Sequence, residues 1–306
     1  MIVITGANGF VGHHLSEACA QNGKDILGIG YGELAEDSKL KGWLKEYKAI
    51  NLVDKDDVET QLDLSSAETV FHLAGLAAVG LSFEQPARYI ADNTAMLINL
   101  AEKALKDGSK ARFIVVSSGA VYDPNQKLPI SEKGKTISNS PYAISKITTE
   151  MFCEYYRSRG LDMIIVRPFN HIGPGQGPGF LLPDLVAQAQ KYDETGKFMV
   201  GNLDTRRDYT DVRDVVQAYM AIAQSKDLGA GLYNVCSGKS HAGKEILDEI
   251  IKNMALGSPK IEIDQSKIRP NDVMDIYGDN SQIKADTGWE PKIPLEKSVT
   301  DFIKSV

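Results

Sequence analysis

Met1-Ile2-Val3-Ile4-Thr5-Gly6-Ala7-Asn8-Gly9-Phe10-Val11-Gly12-His13-His14-Leu15 opens the chain and decides its fold class. An apolar, β-branched run enters a turn with glycine at every third position, then an amphipathic stretch through Ala20; this predicts strand, tight turn and helix. Gly6, Gly9 and Gly12 let the backbone turn, approach a pyrophosphate and pack helix on strand, with the helix N-terminal amides aimed at phosphate oxygens. A bare glycine triplet says little. Directly after a strand and before a helix, it reads as a dinucleotide-binding turn.

Further along, apolar runs over Asp25 to Ile29, Tyr47 to Leu52, Thr69 to Leu73, Arg112 to Ser117 and Asp162 to Val166 alternate with helical patterns. Such alternation predicts an α/β fold: a Rossmann-like, doubly wound parallel sheet, helices on both faces, and a ligand crevice at the carboxyl ends of the strands. Ser117 and Ser118 fall at one such end. After Arg167 the regularity gives way to a Pro/Gly-rich segment from Asn170 to Phe180, then to mixed helices and short strands. The expected division is a dinucleotide-binding part over residues 1–168, joined by a returning segment near 205–236. A smaller, discontinuous substrate-binding part over 169–306 follows.

The 306 residues are 42% hydrophobic and 25% charged, which suits a soluble α/β enzyme with a sizeable core. A first strand at Met1 leaves no room for a secretory signal, and no apolar run approaches the roughly 18 residues of a membrane span. A cytoplasmic location without membrane contact is expected. Cys19, Cys153 and Cys236 are widely separated and lack metal-ligand spacing, so they read as buried free thiols in a reducing compartment, with no metal. A net charge of −7 argues against a nucleic-acid partner, whereas an anionic small molecule needs only local arginines.

The chemistry is carried by Ser140-Pro141-Tyr142-Ala143-Ile144-Ser145-Lys146, where i,i+4 spacing puts an ammonium beside a phenol on one helical face. A free phenol ionises near pH ~10. A neighbouring cation is expected to lower that value and make Tyr142 a general acid or base. Upstream, Phe113-Ile114-Val115-Val116-Ser117-Ser118 ends a strand at Ser118.

With the glycine turn, the strand-end serine and the Tyr142/Lys146 helix in this order, the chain resembles the extended short-chain dehydrogenase/reductase family of nucleotide-sugar enzymes, the NAD-dependent epimerase/dehydratase group. The likeness covers nearly all of the sequence. Its further marks are Phe71-His72-Leu73-Ala74-Gly75, Arg167-Pro168-Phe169-Asn170, and Arg207-Asp208-Tyr209 ahead of Asp211-Val212-Arg213-Asp214-Val215. Asn170-His171-Ile172-Gly173-Pro174-Gly175-Gln176, Tyr233-Asn234-Val235-Cys236-Ser237-Gly238 and Thr287-Gly288-Trp289 look most like the GDP-4-keto-6-deoxy-D-mannose reductase subfamily.

The resemblance implies hydride transfer between NAD(P)(H) and the sugar ketone of a nucleotide-diphosphate sugar. Tyr142 would protonate the oxygen, Lys146 would hold the nicotinamide ribose and depress the Tyr142 pKa, and Ser118 would hydrogen-bond the carbonyl oxygen. Cofactor contacts are implied for Gly6, Gly9, Phe10, Val11, Gly12, Asn51, Leu52, Leu73, Ala74, Gly75, Asn93, Tyr142, Lys146 and Arg167. Substrate contacts fall to Ser118, Asn170, Arg207 and Arg269, the arginines as bidentate clamps on the diphosphate. The plainer reading of Ser118 is a strand-end cap. His72 reads as core, His171 as a packing or loop residue, and His13 and His14 as solvent or cofactor-edge residues. The family also implies a homodimer built on two long helices, Pro86 to Lys106 and Pro141 to Arg159.

Several positions depart from the family pattern. Gly119 and Ala120 follow Ser118 where a nucleotide-sugar 4,6-dehydratase carries acidic residues, so elimination of water lacks its acid and base. Gly28-Ile29-Gly30-Tyr31-Gly32 contains neither an acid for a ribose diol nor an arginine for a 2′-phosphate, and leaves NAD against NADP open. Asn51 replaces an aspartate facing adenine, and Met96-Leu97 replaces a Gly-Thr pair in a helix. A nucleotide-sugar 4-epimerase with tightly bound NAD uses the same three side chains and is the alternative; a non-catalytic dinucleotide-binding sensor is a remote one.

Overall fold

A computed structural model describes residues 1–192, 196–268 and 273–306. The strands expected in the first half all form: β1 (Ile2–Thr5), β2 (Ile26–Gly30), β3 (Glu46–Ala49), β4 (Thr69–His72), β5 (Arg112–Val116) and β6 (Asp162–Pro168). β3 ends earlier than its apolar run suggests. Ile50 and Leu52 leave the ladder to fill the core, and Asn51 turns the chain by accepting the Val53 N–H at 3.2 Å. The later strands are short: β7 (Asn170–Ile172), β8 (Lys197–Val200), β9 (Arg206–Arg207), β10 (Tyr209–Asp211), β11 (Leu232–Val235), β12 (His241–Ala242), β13 (Lys260–Ile263) and β14 (Asp275–Ile276).

The main sheet has seven strands in the order β3-β2-β1-β4-β5-β6-β11, every pair parallel. The order reverses between β1 and β4, which opens the ligand crevice of a doubly wound sheet at that point. In sequence order the helices are α1 (Phe10–Gln21), α2 (Lys55–Gln61), α3 (Val79–Glu84), α4 (Pro86–Lys106), α5 (Pro141–Ser158), α6 (Leu181–Gln190), α7 (Val212–Gln224), α8 (Gly243–Asn253), α9 (Ser281–Thr287) and α10 (Leu295–Lys304). The two long helices start at prolines, whose fixed φ and missing N–H suit a first turn.

Successive strand residues point to opposite faces, and the core divides accordingly. Val3, Phe113, Val115, Met163 and Ile165 meet α4 and α5 through Leu97, Leu100, Cys153 and Tyr156. Ile2, Ile4, Ile114, Ile164 and Val166 meet α1 and α7 through Leu15, Cys19, Val215 and Tyr219. Each such large side chain contributes about 1.5–3 kcal/mol on burial. Leu97 is fully buried, so the departure at Met96-Leu97 is a packing choice.

A separate apolar cluster unites α6, β8, α8 and α10 through Leu182, Phe198, Ile246, Leu247 and Phe302. Asp208, 1% exposed, pins this region to the sheet. Its carboxylate accepts the Ser237 N–H (2.7 Å), the Ser237 hydroxyl (2.6 Å) and the Gly238 N–H (3.1 Å) in the turn after β11. Among the described residues no helix is long and apolar enough to cross a membrane.

Candidate active site

The glycine turn is closed to side chains. A Cβ at Gly12 would lie 2.1 Å from the Gly6 carbonyl oxygen, and one at Gly6, where φ is +70°, would lie 2.9 Å from the Ala74 nitrogen. α1 therefore seats directly on its own turn, and the turn on the loop after β4. Gly9 caps α1 without a side chain, so no side-chain acceptor occupies the first-turn amides. Thr5 fixes the facing loop: its hydroxyl accepts the Ala74 N–H at 3.2 Å and pairs with His72 Nδ1 at 3.0 Å. His72 is the core residue expected, and burial beside the Lys146 charge pushes its pKa down to about 3. A Cβ at Gly75 would come 3.2 Å from Asn93 Oδ1 and 3.5 Å from Lys146 Nζ, so the cradle runs from the α1 amides to Lys146. A backbone cradle that any Cβ would fill, with phosphate-seeking amides at one end and an ammonium at the other, fits a dinucleotide.

Ser118, Tyr142 and Lys146 converge where β5 ends and α5 begins. The Lys146 ammonium donates to the Val116 carbonyl at 2.8 Å and stands 5.9 Å from the centre of the Tyr142 ring. Both residues are only 7% exposed. The Ser118 Oγ accepts the Ala120 N–H at 3.1 Å, which makes it the strand-end cap of the plainer reading yet leaves its own proton to donate.

The expected sign for Tyr142 is reversed. Burial raises its pKa, and the Ser118 side chain only partly offsets this. Lys146 lies beside the ring with its ammonium donating to the Val116 carbonyl, and burial draws its own pKa down to about 8. Around neutrality Tyr142 therefore holds its proton, the form a proton donor needs.

Other expected contacts separate. Gly6, Gly9, Phe10, Val11, Gly12, Leu73, Ala74 and Gly75 line the turn and the loop facing it. Leu52 is buried in the core, with its carbonyl bonded to Asn99 at 2.9 Å, and Asn51 is exposed beside it. Asn93 is committed to Leu76 (2.7 Å) and Ser145 (3.0 Å), so it supports the cradle from behind. Arg167 is likewise not free for a cofactor: it pairs with Glu150 at 2.8 Å through Nε and lies over the Tyr122 ring at 4.7 Å.

Among the residues expected to bind substrate, exposed Asn170 pairs in register with Tyr209. Consecutive strand residues diverge, and this separates the two arginines. Arg206 turns to Glu245 (3.0 Å) and the Ser240 carbonyl (2.6 Å), whereas Arg207 reaches the Val273 carbonyl at 2.7 Å. Arg269 lies outside the described residues. His171 stacks on Phe10 at 5.9 Å and His14 reaches the Pro174 carbonyl at 2.8 Å, joining the glycine turn to the Asn170 to Phe180 loop. Both histidines serve packing and loop contacts. Cys19, Cys153 and Cys236 are buried and unbridged, and no cluster of metal-ligating side chains occurs among the described residues.

Residues 3–302 match the family model described as GDP-mannose 4,6 dehydratase. The chain belongs to that family. The GDP-6-deoxy-D-mannose reductase of Pseudomonas aeruginosa is 29% identical over 306 residues, which span 97% of this chain and 94% of the relative. The solved structure of RMD from Pseudomonas aeruginosa complexed with NADPH superposes with a TM-score of 0.84 at 28% identity, covering 99% of this chain and 97% of the other. UDP-glucose 4-epimerase from Thermotoga maritima with UDP-glucose superposes at 0.86 and 27% identity, with 99% and 97% covered. The chain is an NAD(P)-dependent enzyme of the extended short-chain dehydrogenase/reductase type.

Within this family Gly119 is informative. A Cβ there would lie 3.0 to 3.2 Å from three atoms of the Phe169 ring, so the position next to Ser118 is filled from the opposite wall. A side chain at 119 would have to push the Phe169 ring aside. The sequence marks Phe169 only within Arg167-Pro168-Phe169-Asn170, because its contact with Gly119 depends on β6 and β5 ending side by side.

Proposed function

We propose that this enzyme reduces the 4-keto group of GDP-4-keto-6-deoxy-D-mannose to give GDP-6-deoxy-D-mannose (GDP-D-rhamnose). The observation that carries the reading is the closed wall at Gly119 and Phe169 beside a buried, protonated Tyr142. Such a site can protonate an oxygen but has no neighbouring acid to expel water. The relative named GDP-6-deoxy-D-mannose reductase supports the choice of substrate.

In this reading the reduced dinucleotide, held by the α1 amides, the Gly6 to Gly12 turn and Lys146, supplies the hydride when bound. Tyr142 gives its proton to the ketone oxygen, and Ser118 donates a hydrogen bond to the same oxygen as charge develops on it. Lys146 offsets the charge left on the Tyr142 oxygen until solvent restores the proton. Arg207 and Arg269 clamp the diphosphate, and Asn170 lines the sugar pocket. The enzyme works in the cytoplasm as a homodimer across α4 and α5.

The test is incubation of purified protein with GDP-4-keto-6-deoxy-D-mannose and either NADH or NADPH, following loss of the reduced nicotinamide and identifying the sugar. Oxidation with formation of the 6-deoxy-mannose product supports the reading and fixes the cofactor. The likeness to UDP-glucose 4-epimerase gives the opposite outcome its meaning. No oxidation, with tightly bound NAD recovered from the protein, would replace the reductase by a 4-epimerase.

A further inference from the structure

Tyr142 and Lys146 are two members of a longer series. Glu150 stands four residues beyond Lys146 on α5, and its side chain is buried against the same strand ends. One carboxylate oxygen takes the Ser117 hydroxyl at 2.5 Å and Arg167 Nε at 2.8 Å, and the other takes Arg167 Nη2 at 2.5 Å. Ser117 precedes Ser118, and Arg167 precedes the Pro168-Phe169 wall. The carboxylate thus touches the backbone neighbours of the groups that frame the site.

A buried ion pair is no evidence of stability by itself, because desolvation of two charges offsets most of their attraction. What distinguishes this one is the third charge. Lys146 beside the Tyr142 ring and Arg167 over the Tyr122 ring are both buried, and Glu150, one turn along α5 from Lys146, pairs with Arg167 and favours the charged form of Lys146.

We propose that Glu150 is a positioning residue for the reaction, supplying the counter-charge for Lys146 while locking Ser117 and Arg167, and with them the ends of β5 and β6, around Tyr142. This rests on the ketone-reduction reading of the site. Of the titratable groups facing Lys146, His72 on β4 is neutral, with a pKa pushed down to about 3. Cys153 on α5 is neutral, with a thiol pushed up to about 12. Tyr142 is held protonated by burial. Near neutral pH the charge that bears on the ammonium is therefore that of Glu150.

Competitive amine labelling of the protein across pH, read at Lys146 by mass spectrometry, tests this without substrate. Wild-type Lys146, its pKa drawn down to about 8 by burial, is expected to titrate there. In Glu150→Gln, which keeps the shape and loses the charge, its proton affinity falls about tenfold. Dinucleotide affinity followed by calorimetry weakens from a correspondingly lower pH. An unchanged titration in a folded variant overturns the proposal and leaves Glu150 as scaffold. Should the glutamine variant not fold, Glu150→Asp withdraws the charge by one methylene; about a threefold drop supports the proposal and no drop overturns it. Failure of turnover with the keto-sugar would remove the reductase reading alone, since labelling still decides the role of Glu150.

Discussion

Removing the oxygen of Tyr142 deletes the proton donor from a ring that stays packed, so Tyr142→Phe should lower kcat by about 10²–10⁴-fold. Dinucleotide affinity, measured by calorimetry, should hold because the glycine turn and Lys146 are untouched. Retained turnover would reject the assignment. Ser118, Tyr142 and Lys146 were legible because a helix repeats every four residues and a strand end is marked by its last apolar residue. The sign of the Tyr142 shift was not, since spacing shows a neighbouring cation but not that the cation bonds Val116 or that burial outweighs it. Arg167 misled for a related reason. Its partner Glu150 sits on a different element, and only packing joins them.

Elements were read well where their length exceeded the period that reveals them. Strands β1 to β6 of the parallel sheet and the two long helices follow from apolar alternation and proline starts, whereas the edge strand β11 did not stand out and β9, β12 and β14 have two residues each and carry no period to detect. Their positions come from the Asp208 network and the smaller apolar cluster. The contact between α1 and its turn also depends on a single position. Gly12→Ala would place a Cβ 2.1 Å from the Gly6 oxygen and 2.8 Å from the Ala7 Cα, both backbone atoms that cannot swing aside. The expected cost is about 1–3 kcal/mol, as for other overpacked positions. Lower thermal stability with loss of dinucleotide binding would show it, and unchanged binding would mean that α1 can slide off its turn.

The outward face of α5 exposes Met151 (64%) and Tyr155 (50%), large apolar groups that a second copy could cover. If that face is the dimer contact, Met151→Lys with Tyr155→Lys should sediment as a monomer while wild type sediments as a dimer; two identical profiles would move the contact elsewhere. Acid stability is likewise a property of the whole chain, and His72 sets part of its sign. Its folded pKa of about 3 lies below the ordinary 6.5, so the unfolded chain binds the extra proton throughout that interval. Stability therefore rises with pH there, and acidification below about pH 6.5 costs about 1.4 kcal/mol per unit from this group. Asp208 and Asp214 act oppositely, because burial raises their pKa and the folded chain takes up the proton first. Only a difference between variants isolates the histidine. His72→Asn keeps a polar partner for Thr5 and cannot titrate in this range, so its urea midpoint should fall less steeply than wild type between about pH 6.5 and pH 5. Parallel slopes would mean that the His72 ring is protonated inside the folded protein, and the neutral, Thr5-bonded imidazole beside Lys146 would have to be abandoned.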